Sequence, residues 1–210
     1  MSKLHLTSVL SIVVSLAACQ TTVPVRIYQD QLVRPQPPAP LQLTMLAKAK
    51  DTRSQGVDQV GRHTISALMI PGPTVTTETE HLDEAIVNRV REALTASGFS
   101  VSTVDRLEQA HDPILVIQIN DLRNYLFSWL YPVGLVWGNM DLTLQLVTPE
   151  GTELWHAQTA GHSGVGASIF YMSGFETRVA SDLTSNVNQI LEIVSSREFE
   201  DQLQQARRRL

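Results

Sequence analysis

Residues 114–147 read ILVIQINDLRNYLFSWLYPVGLVWGNMDLTLQLV, and the fold is decided there. In the second half Met140, Leu142, Leu144 and Leu146 alternate with Asp141, Thr143 and Gln145, the period-two pattern of a half-buried strand. Tyr131-Pro132-Val133-Gly134 has proline second and glycine fourth, the composition of a type I turn. Folding back at that turn sets Asn124 opposite Asp141, Leu122 opposite Thr143 and Asn120 opposite Gln145. On the other face Tyr125 then meets Met140 and Ile119 meets Leu146. The spacing predicts a long antiparallel hairpin whose register keeps one side apolar.

Downstream, Pro149-Glu150-Gly151-Thr152 turns the chain again and residues 153–162 return as a strand. After a glycine-rich stretch, residues 176–194 form an amphipathic helix with Val179, Leu183, Val187, Ile190, Leu191 and Val194 on one stripe. Ser195 and Glu198 have the spacing to cap a last short helix carrying Phe199 and Leu203. Upstream, residues 77–97 read as a helix with Leu82, Ile86, Val90, Ala93 and Leu94 inward, opened by Thr77 and Glu80 and closed by Gly98. Residues 99–104 follow as a short strand, residues 41–48 make a strand before the helix, and an extended run over 63–70 is stopped by Pro71-Gly72-Pro73. The expectation is an α+β fold: a mainly antiparallel sheet with two main helices packed on one face, forming a single domain over residues 43–210.

The amino-terminal residues have a different character. Lys3 precedes a short apolar run, Leu4 to Leu16, which as a helix rises only about 20 Å, too little for a hydrocarbon core of roughly 30 Å. That is the build of a secretory signal. Leu16-Ala17-Ala18-Cys19 resembles the lipobox of bacterial lipoproteins, with small residues directly before the chain's single cysteine. The resemblance implies that residues 1–18 are removed and that Cys19 takes a diacylglycerol on sulfur and a fatty acyl chain, such as palmitate, on its new amine. Several acyl chains hold a protein firmly to a membrane, so the sequence names the membrane as a partner through Cys19. Gln20 in place of Asp points, by the same resemblance, to the outer membrane, with the domain facing the periplasm. Residues 19–42 carry Pro24, Pro35, Pro37, Pro38 and Pro40, which excludes helix and predicts an extended tether. Alternation of Val23, Val25, Ile27 and Tyr28 leaves a second course open, in which part of the stretch lies along the domain as an edge strand.

Composition narrows the classes. A net charge of −5 with no basic stripe argues against nucleic acid, and one cysteine excludes an internal disulfide. Arg207-Arg208-Arg209 suits the carboxyl end of a helix. The order of elements, a helix ending in Gly98-Phe99, the hairpin, the TPEGTELW strand at 148–155 and SSREFEDQL at 195–203, resembles the YajG-type lipoproteins of Gram-negative bacteria. It is similar, at greater distance, to the small lipoproteins that accompany lipid-transport systems. The resemblance implies an envelope lipoprotein and carries no functional residue across.

Chemistry is sparse. Gly161-His162-Ser163-Gly164 approaches a nucleophile elbow, but Val165 stands where the motif needs glycine. His156 and His162 share a strand face about 20 Å apart, too far for one metal. The sequence implies no cofactor, no metal site and no catalytic residue. Asp121 and Arg123 fall on the apolar face of the expected hairpin as an ion pair or as the limit of the core, and Asn120, Asn124, Asp141 and Gln145 form its solvated side. What stands out is apolar surface. The hairpin end holds Trp129, Leu130, Tyr131, Leu135 and Trp137, and the glycine-rich residues 164–175 add Phe170 and Tyr171. Either that loop covers the tip, or the tip meets a partner or a bilayer. The leading expectation is a non-enzymatic envelope lipoprotein that docks a protein partner or self-associates through the tip. The alternatives are a lipid-transport accessory sheltering an acyl chain beneath the loop, and a hydrolase using Ser163 with His162.

Overall fold

The computed structural model describes residues 21–35, 41–54, 56, 58–65, 70–78, 81–130, 133–169 and 171–210. Residues 1–19 of the expected signal and lipidation site, and the Tyr131-Pro132 step of the turn, lie outside the described residues. In chain order the elements are β1 (Thr21–Val23), β2 (Gln42–Leu46), β3 (Lys50–Asp51), β4 (Gln59–Ile65), β5 (Ile70–Thr77), α1 (Leu82–Ala96), β6 (Ser100–Val104), β7 (Ile114–Leu130), β8 (Val133–Val147), β9 (Glu153–Ile169), α2 (Tyr171–Val194) and α3 (Arg197–Arg207).

The sheet is assembled on β7. One edge of β7 takes the whole of β8, and β8 takes β9, in long antiparallel ladders. The other edge is shared in relay by β2, β3 and β4, each parallel to β7. Beyond them β6 adds to β2, β5 adds antiparallel to β4, and β1 adds parallel to β5. The α+β class and the antiparallel hairpins therefore stand, and a set of short parallel pairings joins them. All three helices belong to one side: α1 and α2 cover the centre of the sheet, and α3 closes the lower end, where Phe199 meets the Trp155 ring edge-on at 5.2 Å between centroids.

Inward positions follow the alternation in β8. Met140, Leu142, Leu144 and Leu146 are buried opposite Leu122, Ile119, Ile117 and Leu115. The expected register is displaced: Tyr125 faces Trp137 instead of Met140, and Asn124 faces Gly138 instead of Asp141. The hairpin closes at Leu130 and Val133 instead of at Tyr131 and Gly134, and the extra Trp129 moves the pairing one residue further; below them a bulge between Ile119 and Asp121 adds Asn120 to β7 alone. One extra residue reverses the phase, so Leu122, Asn124 and Leu126 point inward while Asp121, Arg123 and Tyr125 turn to the open face. Asn124 is thus fully buried, not solvated, with its amide donating to the Val60 carbonyl at 3.2 Å. Gly138 is required opposite it, because the Asn124 side chain fills the space of a Cβ.

Several local readings also shift. Pro71, Gly72 and Pro73 do not end a strand; they lie inside β5. Among the described residues β1 pairs with β5 from Val75 onward, beyond the two prolines. Helix α1 begins at Leu82, not Thr77; its first amide is capped across space by the Asp58 carboxylate at 3.2 Å. Its exit is as expected: Gly98 has φ 94°, and the Phe99 and Gly98 amides return to the Leu94 and Thr95 carbonyls. The cap of α3 is Ser196, whose hydroxyl accepts from the Phe199 amide at 3.2 Å, one residue beyond the expected Ser195.

Of the two courses open to the proline-rich stretch, residues 21–35 take the docked one. Val23 and Val25 are buried in the core, the Tyr28 amide donates to the Thr184 hydroxyl at 3.0 Å, and the Val33 amide donates to Asn188 at 2.8 Å. Gln189 of α2 performs a comparable service for β9. Its side-chain amide accepts from the Ala160 N–H at 3.2 Å and donates to the Ala160 carbonyl at 2.7 Å, closing an otherwise open strand edge.

Candidate functional site

The open face of β7, β8 and β9 has three zones. At the lower end Ile114, Val116 and Val147 form a small second core beneath Leu107 and Ala110. This zone is structural.

The middle zone is a polar hollow of about 650 Å³ lined by Gln118, Asn120, Thr143, Gln145, His156 and Gln158 among others. Several of its groups bond one another, while one buried carboxylate oxygen of Asp141 has no protein partner among the described residues. Gln118 donates to Asn120 at 2.7 Å, Asn120 donates to Thr143 at 2.6 Å, and Gln145 and His156 both engage Glu153, at 2.8 and 2.7 Å. His156 and His162 share the face, as the sequence predicts. Above the hollow, Asp121 is held by Arg123 in a forked ion pair and by the Asn139 amide at 2.8 Å. Partial burial would raise the Asp121 carboxyl, but the Arg123 guanidinium and the Asn139 amide outweigh it and hold it below the usual range. The pair expected on the apolar face therefore forms, on the opposite one.

The upper zone is apolar. Tyr125 and Trp137 are cross-strand partners whose rings stack at 5.5 Å and 22°, and Leu135 and Val133 continue their row outward, 42% and 48% exposed. On the neighbouring strand Val165 is 69% exposed. The inner side of the same segment is filled: Leu126, Val136 and Phe175 are buried there, and the Phe175 ring occupies the place a Cβ on Gly61 would take. The described part of the hairpin end is therefore one-sided, packed beneath and part-exposed above.

Of the residues the sequence singles out, Leu135 and Trp137 form this surface. Trp129 and Leu130 end β7, with Trp129 the extra residue of a second bulge and Leu130 paired with Val133. Tyr131 and Phe170 lie outside the described residues, as does Cys19. Tyr171 opens α2. The loop expected over 164–175 does not exist as a loop: residues 164–169 extend β9 beside β8, and the helix begins five residues earlier than predicted. Glycines at 164 and 166 suggest irregular chain, yet the bare edge of β8 is a stronger influence than their propensity. The reading missed Val165, which is conspicuous only once β9 is seen to continue. The same continuation settles the elbow: Gly161 and Ser163 run mid-strand opposite Met140 and Gly138, and no strand-to-helix turn is formed there.

A scan of protein-family models finds no match, and neither does a search of curated protein sequences. Among solved structures the chain is similar to a homologue of a neuraminyllactose-binding hemagglutinin from Helicobacter pylori (TM-score 0.49, 8% identity, covering 85% of this chain and 99% of that one). It is similar also to a Xanthomonas campestris protein of family DUF330 (0.46, 15%, 89% and 95%) and to a minor lipoprotein from Acinetobacter baumannii (0.37, 11%, 77% and 93%). Likeness at this level lends no residue and no activity to this chain. Among the described residues, no helix is long and apolar enough to cross a membrane.

Proposed function

We propose that this protein is a non-enzymatic envelope lipoprotein, anchored by acyl chains on Cys19 in the outer membrane and making its contacts through the bare apolar end of its sheet. One observation carries the reading: Tyr125, Trp137, Leu135, Val133 and Val165 form an apolar surface on the open face, while the inner side of the same strands is already packed. Burial of that surface adds nothing to the core, so its chemistry is kept for something outside the chain. The lipobox resemblance supplies the anchor. In the polar hollow Gln118, Asn120 and Thr143, and likewise Gln145, His156 and Glu153, bond one another.

The anchor is tested by expression with radiolabelled palmitate. Label lost in Cys19→Ala, and a heavier precursor trapped when the lipoprotein signal peptidase is inhibited, are the expected results. A protein that matures normally without label would end the proposal.

A further inference from the structure

The cross-strand partners Thr21, Val75, Gly61, Asn124, Gly138 and Ser163 form one row across the sheet. Strand β5 runs away from the hairpin end, since Ile70 pairs with Ile65 and Ile65 with Ser128. Strand β1 is parallel to β5, so Thr21 is the end of β1 nearer the hairpin end. Only Gln20 separates Thr21 from Cys19, and two residues of fully extended chain reach about 7 Å. A lipid on Cys19 is therefore tied within about 7 Å of Thr21, on the row where the apolar end begins.

Charge divides along the same line. Beyond the row the strands read RHTI, IPGPT, YLFSWL, VGLVW and GVGASI, with no Asp or Glu. Their fixed charge is Arg62, which is exposed and directly opposite Tyr125. The other end of the molecule carries Asp105, Glu108, Asp112, Glu150 and Glu153, interspersed with Arg106 and with Arg207, which lies 3.8 Å from Asp112. A chain of net charge −5 is repelled by an anionic leaflet unless it presents a face cleared of carboxylates. Stacked Tyr and Trp beside an Arg suit the depth where headgroups meet acyl chains.

We infer that the hairpin end rests on the phospholipid surface that holds the Cys19 lipid, so that the domain is seated on the bilayer at two points. The inference depends on the lipidation proposed above and adds to it an orientation and an occupant for the apolar surface.

Acylated Cys19 leaves no other thiol in the chain, so single cysteines can be introduced and spin-labelled in the full-length lipidated protein. Val165→Cys reports the apolar end and His156→Cys the polar hollow. In phosphatidylethanolamine–phosphatidylglycerol vesicles, the ratio of collisions with oxygen to collisions with a water-soluble nickel chelate should be several-fold higher at 165 than at 156. Equal ratios, with the acylated protein still floating with the vesicles, would overturn the seating while leaving the anchor intact. Spin–spin broadening at 165 that disappears on dilution with unlabelled protein would overturn it in favour of a second copy. A chain that does not float, and whose Cys19 itself takes up label, would remove the anchor reading and the seating with it.

Discussion

Asn186 is the joint between α2 and the sheet. It is fully buried, accepts from the Thr159 hydroxyl at 2.6 Å, and donates to the Met140 and Asp182 carbonyls, both at 2.9 Å. Thr159 is itself 2% exposed, so both ends of the bond are shielded from bulk water. In Asn186→Ala the Asp182 carbonyl lies within the helix and keeps its backbone partner. The Thr159 hydroxyl and the Met140 carbonyl lose theirs. A buried polar group left unpaired costs about 1–3 kcal/mol, and Met140 sits in a ladder that shares the loss, so the two together amount to about 3 kcal/mol. With a urea dependence of about 2 kcal/mol per molar, the unfolding midpoint should fall by about 1.5 M with unchanged slope. Thr159→Val strips the other end of the same bond, and the double variant should fall short of additivity by about 1–2 kcal/mol. A loss under about 0.5 kcal/mol for Asn186→Ala, or strict additivity with Thr159→Val, refutes the joint.

Gly161→Ala should destabilise by about 2 kcal/mol, because the Asp182 carbonyl and the Asn186 amide occupy the space its methyl needs and α2 must lift; thermal unfolding reads this directly. Asp51 and Arg53 form a forked ion pair with side chains 13% and 3% exposed, and Arg53 also donates to the Gln59 carbonyl at 2.6 Å. Burial would raise the Asp51 carboxyl, yet its bonds to Arg53 hold it below the usual range, so the charge is kept and Asp51→Asn should cost about 3 kcal/mol in denaturant titration. His63 is half-buried, 2.8 Å from the Ser128 hydroxyl, and burial lowers its pKa. The unfolded chain therefore binds the proton more readily, so this contribution to stability is present above the unfolded value near 6.5 and is lost as pH falls below it; His63→Gln should show a shallower loss over that interval than the wild type.

The sequence discloses what depends on local pattern. Met140 to Leu146 announce their burial by alternation, and α2's inward stripe from Val179 to Val194 by its period. It conceals what depends on a partner far along the chain. Asn120 gives no sign of being a bulge residue, yet it decides that Asp121, Arg123 and Tyr125 take the open face while Ile119 and Ile117 point inward. Asp58 caps a helix that begins 24 residues later, and Pro71 and Pro73 lie inside a strand that pairs with β4. The candidate surface was legible in content, as aromatic residues at a hairpin end, but not in which side of the strands stays bare. That follows from a phase shift of one residue, which composition does not record.

The relay on β7 bears on the order of assembly. Residues 42–65 supply β2, β3 and β4, all of which pair with a strand that begins at Ile114, and β2's other partner, β6, begins only at Ser100. A nascent chain emerging amino terminus first thus carries roughly its first hundred residues without a template, apart from the local β4–β5 pairing and α1. The β7–β8 hairpin closes over short sequence distances, whereas the parallel strands each bridge some sixty residues, a greater loss of chain entropy. Loop entropy therefore favours the late hairpin closing first, as the template to which the early strands add.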